Sequence, residues 1–208
     1  VSEPILPTAP SGWTFGTPSI SGSPATIIKG DQAIAVVVTV TNSITQLGVG
    51  CGYTWGYWKN HNKYQNQGGA NRDPGWNKIG EDTQFFGNYA NPPINSDTLT
   101  WYEILLIAPK GGNAYLTLAH QYVAAFLNIH KDTDPADPMS LGTAMADAEA
   151  LLAYYSNSTV GHQMFPPVIP KGANRFTGDD RAWAIQLAGV LDQFNNGTLP
   201  SGPPHCGE

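Results

Sequence analysis

The amino-acid sequence predicts an α+β protein, in which a short β module precedes a small helical domain that a disulfide closes. Three observations lead to this prediction. A run of β-branched residues fills 33–41, apolar residues recur at helical spacing beyond residue 100, and the only two cysteines, Cys51 and Cys206, border one long segment. The expected organisation is an extended arm over 1–11, a β module over 12–46 and a helical domain over 50–208.

The N-terminal arm is expected to be extended. Residues 1–10 include three prolines, and proline lacks an amide donor and fixes φ, which disfavours both a helix and a central strand. The arm is apolar at Ile5 and Leu6. It is therefore either an interdomain linker or a segment that lies on a neighbouring molecule.

The β module is expected to be incomplete. Its longest strand, Ile34–Thr41, places four apolar side chains on one face: Ile34, Val36, Val38 and Val40. About 34 residues supply three or four strands, whereas a β-sandwich needs about seven. The helical domain, or a strand from another copy of the chain, must then cover the exposed strand.

Helices are expected in the last half of the chain. Residues 62–98 are rich in Asn, Gln, Gly and Pro and predict long ordered loops. Beyond them, capping residues and apolar spacing of three and four indicate helices. These are a short helix from Thr100 with a capping box to Glu103, one over 114–129, one from Asp137 to about Tyr155, and one from Thr177 or Asp179 to Asn196.

The two cysteines are interpreted as a clasp that joins the start of the helical domain to its end. They bracket about 155 residues, and for a loop of that length the chain-entropy model gives about 5 kcal/mol as an upper figure. The alternative is a pair of unrelated free thiols.

Composition restricts the partners and the compartment. The net charge of −6, with only ten Lys and Arg residues, argues against nucleic acid and anionic membranes, which require basic patches. No run of about 18 apolar residues is present, so no membrane span is expected. A charged share of 12% beside 23 glycines and 17 prolines is typical of an extracellular protein. The start at Val1, without an initiator Met, is expected of a processed product or a fragment.

Three segments carry a resemblance to a known domain. They are Cys51-Gly-Tyr-Thr-Trp-Gly-Tyr-Trp-Lys-Asn-His61, Leu118-Ala-His-Gln-Tyr-Val-Ala-Ala-Phe-Leu-Asn128, and Phe194-Asn-Asn-Gly with the later Pro-His-Cys206. Together they resemble a domain of secreted and cell-surface bacterial proteins, over about residues 50–207. The proline and tryptophan that usually follow the histidine closely come later here, at Pro74 and Trp76.

The resemblance implies a location and an architecture but no reaction. Such domains often follow immunoglobulin-like or prealbumin-like β repeats, and the phrase Val38-Thr-Val-Thr-Asn42 resembles the last strands of such a repeat. The β module is accordingly expected to be an incomplete immunoglobulin-like or prealbumin-like module.

The first of these segments is also the candidate ligand site. Aromatic rings beside Asn and Gln donors could form a platform for sugars. The favoured alternative is a core plug, in which the glycines let backbones approach closely and Lys59 extends outward. The residues concerned are Tyr53, Trp55, Tyr57, Trp58, Lys59 and His61.

Two weaker sets of residues could hold a metal ion. Three imidazoles in the resembling segments would suit zinc or copper: His61, His120 and His205. Three carboxylates at short spacing would suit calcium: Asp132, Asp134 and Asp137. Structural roles are favoured in both cases, as core histidines and as turn and helix-start residues, so no cofactor is expected.

No catalytic motif stands out. Gly-x-Ser-x-Gly, His-Glu-x-x-His and phosphate-binding loops are absent from the sequence. The candidate carboxylates fall in early helical turns or on solvated faces: Glu103, Asp147, Glu149, Asp179 and Asp180.

The sequence thus predicts a non-enzymatic, extracellular structural or surface-assembly protein. Its expected partners are other copies of itself, joined into a fibre or filament by exchange of the N-terminal arm or a β-strand. A carbohydrate-binding or adhesive module of a surface protein is the alternative from a different class. A hydrolase with an unrecognised site is the third.

Overall fold

The computed structural model describes ten stretches of the chain: 13–15, 19–21, 39–41, 44–46, 50–65, 71–86, 99–132, 134–157, 167–173 and 178–207. The chain forms two compact units, Val1–Gly48 and Val49–Glu208. Several residues of the predicted arm and strand lie outside the described stretches: Ile5, Leu6, Ile34, Val36 and Val38.

The described part of the first unit contains four strands of three residues each: β1 (Trp13–Phe15), β2 (Ser19–Ser21), β3 (Thr39–Thr41) and β4 (Ile44–Gln46). β1 pairs with β4 in antiparallel register, with Trp13 opposite Gln46. β2 pairs with β3 in the same sense, and Val40 of the predicted strand lies opposite Ile20. Among the described residues each sheet therefore has only two strands.

The predicted α+β fold with an immunoglobulin-like β module is wrong. The described part of the chain is mainly helical, and its few strands form two separate pairs in place of a layered sandwich. Within the described residues each pair of three-residue strands has only one short ladder of hydrogen bonds, and a sheet of two strands is by itself marginal in water. A β-branched run predicts extended backbone, but it does not predict the partners that a sandwich requires.

Five α-helices and three 3-10 turns make up the described part of the second unit. The helices are α1 (Trp55–Asn60), α2 (Trp101–Leu106), α3 (Ala114–His130), α4 (Ala144–Asn157) and α5 (Asp180–Asn195). The turns are Pro74–Lys78, Lys110–Gly112 and Pro138–Leu141. None of the helices in this part is long and apolar enough to cross a membrane.

Local capping explains where the helices begin. The predicted capping box is confirmed at α2, where Glu103 N donates to Thr100 Oγ1 at 3.1 Å and Thr100 N donates to the Glu103 carboxylate at 2.9 Å. At α5, the Asp179 carboxylate accepts hydrogen bonds from the first backbone amides of the helix, each at 3.1 Å. Both starts depend on residues two or three positions apart, which is why they are visible in the sequence.

The helix predicted from Asp137 to Tyr155 is two elements in the structure. Asp137 caps the 3-10 turn Pro138–Leu141, and α4 begins only at Ala144. The break lies at Gly142, whose φ of 53° is unfavourable for residues with a Cβ and incompatible with a continuing helix. The positive φ of Gly142, and not the spacing of the apolar residues, therefore separates the 3-10 turn from α4.

α3 is the central helix of this unit. It packs against α1, α2, α4 and α5, and buried side chains surround its axis, among them Leu118, Tyr122 and Leu127. A helix that is apolar on every side is one enclosed by protein. Polar side chains on α3 are consequently held in the interior, where each needs a partner.

A buried ion pair holds the loop between α1 and α2. Arg72 donates through Nε and Nη2 to both carboxylate oxygens of Glu81, at 2.6 and 3.0 Å, and Glu81 is only 2% exposed. The backbone amide of Lys63 donates to the same carboxylate at 3.0 Å. Burial alone would raise the pKa of Glu81, but the hydrogen bonds from Arg72 and from backbone amides outweigh burial and leave that pKa below its ordinary range.

Candidate functional site

The predicted clasp is confirmed: Cys51 and Cys206 form a disulfide, with their Cα atoms 4.9 Å apart. Backbone hydrogen bonds reinforce it, because Gly52 N donates to Pro204 O and Cys206 N donates to Gly52 O, both at 2.9 Å. These bonds form a parallel bridge between Gly52 and His205. The first and last segments of the unit therefore run side by side.

Gly52 lets the first segment lie against the end of α5. A Cβ at this position would stand 3.1 Å from Phe194 O and 3.2 Å from Asn195 O, closer than most side chains tolerate. The first and third resembling segments thus meet through backbone, and the glycine is required by that approach.

Asn128 joins all three resembling segments. Its Oδ1 accepts from Tyr53 N at 2.8 Å and from Trp58 Nε1 at 3.1 Å, while its Nδ2 donates to Tyr53 O at 2.8 Å and to Asn195 Oδ1 at 2.9 Å. The side chain is fully buried. All four of its hydrogen-bonding positions are therefore filled by protein groups.

The network continues from Asn128 along the interface of α3 and α5. Asn195 Nδ2 donates to the backbone oxygen and to Oε1 of Gln121, each at 3.0 Å. Gln121 Nε2 in turn donates to Asp192 Oδ1 at 2.9 Å. Sequence reasoning assigned no structural role to Asn128 or Asn195. The available signal was an asparagine on the predominantly apolar helix α3, where a buried amide requires partners.

Three rings of the first segment form a stacked column. The Tyr53 and Tyr57 centroids are 3.7 Å apart, and those of Tyr57 and His61 are 3.9 Å apart, with interplanar angles of 7° and 15°. The spacing of four residues is close to one helical turn; Tyr57 lies in α1, Tyr53 precedes its N-cap Thr54, and His61 is its C-cap residue. Tyr57 Oη also donates to Asp73 Oδ2 at 2.8 Å; burial first, and this hydrogen bond second, raise the pKa of Tyr57.

The remaining aromatics of the segment face the core or other side chains. Trp58 is fully buried and packs edge-on against the equally buried Trp76, with centroids 6.4 Å apart. Trp55 lies beside His120, and Lys59 Nζ stands 5.8 Å from the Trp55 ring centroid. Both faces of the Tyr57 ring are covered by its neighbours in the column, so this ring has no free face for a sugar.

An open pocket of about 280 Å³ lies beside the column. Its lining includes Thr54, Gly56, Tyr57, Asn60 and His61. His61 Nδ1 is 2.9 Å from Tyr57 O and therefore carries the proton, which leaves Nε2 as an acceptor in the neutral ring. The pocket thus combines a hydroxyl, an amide and an imidazole around a partly apolar wall.

The three predicted imidazole ligands are not brought together. His120 is 3% exposed and its Nε2 donates to Ile104 O at 2.8 Å; burial lowers its pKa. His205 belongs to the bridge with Gly52, and His61 to the pocket. The histidines therefore serve three different places in the unit.

The three predicted carboxylate ligands also have separate roles. Asp132 is paired with Lys78 at 2.6 Å. Asp134 adopts a φ of 50°, and Asp137 accepts from Met139 N at 2.9 Å. Within the described stretches, no three His, Cys, Asp or Glu side chains form a group that could hold a metal ion.

A buried lysine that the sequence did not single out lies on the clasp. Lys131 is 6% exposed, with Nζ 3.2 Å from Cys206 Sγ and 3.5 Å from Cys51 Sγ. The same Nζ stands 4.7 Å from the Tyr53 ring centroid, on the column. Burial lowers the pKa of Lys131, against the opposing fields of Asp134 and Asp73.

Comparison of the chain with protein-family models, with curated proteins and with solved structures found no match. The resemblance to a domain of bacterial surface proteins accordingly stays a prediction from three sequence segments. Any functional proposal has to rest on the geometry of the clasp, the amide network, the column and the pocket.

Proposed function

We propose that this protein is a non-enzymatic structural component of an extracellular surface, in which the second unit acts as a disulfide-locked scaffold. The observation that carries the proposal is the Asn128 centre. Its fully buried side chain ties the three segments together through four hydrogen bonds, beside a disulfide that joins both ends of the unit. Polar side chains of the kind that could take part in catalysis make hydrogen bonds that stabilise the fold instead.

The ionisable groups of the interior support a structural role. Glu81 is paired with Arg72, Asp180 accepts from Tyr155 Oη at 2.7 Å, and His120 donates to a backbone carbonyl. A catalytic acid or base has to reach substrate, whereas each of these groups is buried and bonded to protein. The disulfide supports an oxidising, extracellular location, since disulfides persist mainly in such compartments.

The proposed partners are further copies of the same chain. In the described stretches each sheet has two short strands, and the outer edges of such a sheet are sites for strand addition. The prolines of the arm favour an extended conformation, and the arm is apolar at Ile5 and Leu6. A contact between the arm of one molecule and the sheet of the next is head-to-tail, and it grows into a filament unless its rotation closes a ring.

The arm can be tested by substitution in the full chain. We expect the natural protein to form high-mass assemblies in light scattering, and the Ile5→Ser/Leu6→Ser variant to remain monomeric because the apolar anchor is lost. Ser2→Ala, in the same arm, is the matched control and should assemble normally. Circular dichroism should show equal helix content in all three. A natural protein that stays monomeric at high concentration would refute the self-assembly proposal.

A carbohydrate-binding role is the second candidate, and the pocket favours it. A volume of about 280 Å³ lies at the lower end of small-molecule sites. Thr54, Asn60 and His61 surround it with groups that can bind sugar hydroxyls. This role is compatible with a surface protein, and it would make the second unit adhesive.

A matched pair of histidines tests the pocket. His61 and His130 are both exposed to some degree, each donates Nδ1 to the carbonyl four residues earlier, and each stacks on the aromatic ring of that residue. If a glycan array identifies a ligand, we expect His61→Ala to weaken binding at least tenfold and His130→Ala to leave it unchanged. Absence of any glycan ligand, or equal losses in both variants, would dismiss this candidate.

A further inference from the structure

We propose that Lys131 makes the clasp an exchangeable disulfide, in which an external thiolate attacks Cys51 and Cys206 leaves as a thiolate held by the Lys131 ammonium. The co-reactant would be a low-molecular-weight thiol. The inference rests on the different exposures of the two cysteine residues, on the distances from their sulfurs to Lys131 Nζ and on the charges around that nitrogen.

Exposure determines which sulfur is attacked. Cys206 is 4% exposed, whereas Cys51 is only partly buried and is the more accessible of the two cysteines. A nucleophile must approach the disulfide from outside, and access selects the sulfur that it reaches. Attack at Cys51 Sγ therefore makes Cys206 Sγ the leaving group.

Lys131 is placed to receive that leaving group. Its Nζ is closer to Cys206 Sγ, at 3.2 Å, than to Cys51 Sγ, at 3.5 Å. A thiolate leaves faster when its charge is stabilised, because a leaving group of lower pKa is displaced more readily. The nitrogen thus stands beside the sulfur on which negative charge develops.

The surroundings of Lys131 also favour a negative charge on Cys206 Sγ. Among the described residues, no carboxylate lies within 4.0 Å of its Nζ. Against the larger effect of burial, two carboxylates act on Lys131 through their charge and raise its pKa. They are Asp134, which is exposed, and Asp73, which accepts a hydrogen bond from Tyr57. A buried ammonium without an anion is unfavourable. Opening of the disulfide supplies the missing anion as the Cys206 thiolate.

The thiol–disulfide exchange at Cys51 requires no added oxidant. The external thiolate forms a bond to Cys51 Sγ, the bond between Cys51 and Cys206 breaks, and its electron pair stays on Cys206 Sγ. The product is a mixed disulfide at Cys51 and a thiolate at Cys206. A second external thiolate can then attack the outer sulfur of the mixed disulfide, releasing Cys51 and the oxidised external disulfide.

Exchange would free the two ends of the unit from their covalent link. The Gly52 and Cys206 backbone bonds remain between the ends, and the Asn128 network continues to hold the interior. The clasp can in this way open while the helices remain packed. A surface protein with such a clasp would take up a small thiol at Cys51 as a covalent modification.

The first experiment locates the adduct in the full-length natural protein. The oxidised protein is treated with reduced glutathione, quenched with acid and digested, and the glutathione adduct is identified by mass spectrometry. We expect the adduct on Cys51 at least tenfold more often than on Cys206. An adduct mainly on Cys206 would overturn the proposal, and this result needs no variant that has to fold.

The second experiment measures the thiol of Cys206 in the Cys51→Ala variant, by thiolate absorbance against pH. We expect its pKa to be at least one unit below the ordinary value of about 8.5, which is about tenfold more thiolate at neutral pH. Lys131→Met should remove the shift and Lys131→Arg should keep it. Lys59→Met, which removes another lysine near an aromatic ring, should change nothing. A Cys206 pKa that is the same with and without Lys131 would also overturn the proposal.

Discussion

Reduction of the clasp is expected to lower the free energy of unfolding of the second unit by up to about 5 kcal/mol, because the disulfide closes a loop of 155 residues in the unfolded chain. Stability is lost because the conformational entropy of the unfolded chain increases, while the packing of the core stays the same. Urea unfolding followed by helical circular dichroism, with and without a reductant, measures the difference.

The Cys51→Ala/Cys206→Ala variant controls for direct effects of the reductant. It should be destabilised to a similar degree and should not respond to reductant at all. Reduced natural protein should be slightly more stable than this variant at alkaline pH, since only the former can place a thiolate beside Lys131. Equal stabilities of the oxidised and reduced natural protein would contradict the view that the clasp stabilises the unit.

Replacement of Asn128 by alanine is expected to cost about 4 kcal/mol of unfolding free energy, with the disulfide intact. Four groups lose their partner at once, namely Tyr53 N, Tyr53 O, Trp58 Nε1 and Asn195 Oδ1. A buried polar group left unpaired costs about 1–3 kcal/mol, and water entering the vacated space would offset part of the sum. The same urea measurement on the oxidised protein gives the value.

Asn60→Ala provides the matched control, because Asn60 is an exposed asparagine on α1 and should change stability by less than about 0.5 kcal/mol. The Asn128→Ala/Asn195→Ala double variant should lose clearly less than the sum of the two single losses, since the two side chains share a hydrogen bond. A loss below about 1 kcal/mol for Asn128→Ala would show that the network is not a main source of stability.

The sequence was most informative where few residues decide the structure. The capping box of Thr100 and Glu103 and the cap at Asp179 involve neighbours along the chain, so their spacing is visible directly. The clasp was inferred because the chain has only two cysteines, which leaves one intramolecular pairing. Neither inference required knowledge of how the helices pack.

The sequence was misleading where an element depends on partners elsewhere. The β-branched run before Thr41 suggested an immunoglobulin-like module, but the described strands form only two short pairs. Apolar spacing likewise suggested one helix from Asp137, and the positive φ of Gly142 divides it. The periodicity of a sequence indicates which residues favour burial or an extended backbone. It does not indicate how many strands pair in a sheet or which glycine adopts a positive φ and ends a helix.

Residue types and their order along the chain thus account for the starts of α2 and α5, the clasp and the largely apolar character of α3. The tertiary structure alone places Asn128 against Asn195, 67 residues away, and Lys131 against two sulfurs that are 80 and 75 residues away. Such contacts arise from the packing of α3 on α5 and from the closure of the two ends. They depend on the relative positions of whole elements, because no local pattern specifies which distant group will satisfy a buried amide or lie beside a buried charge.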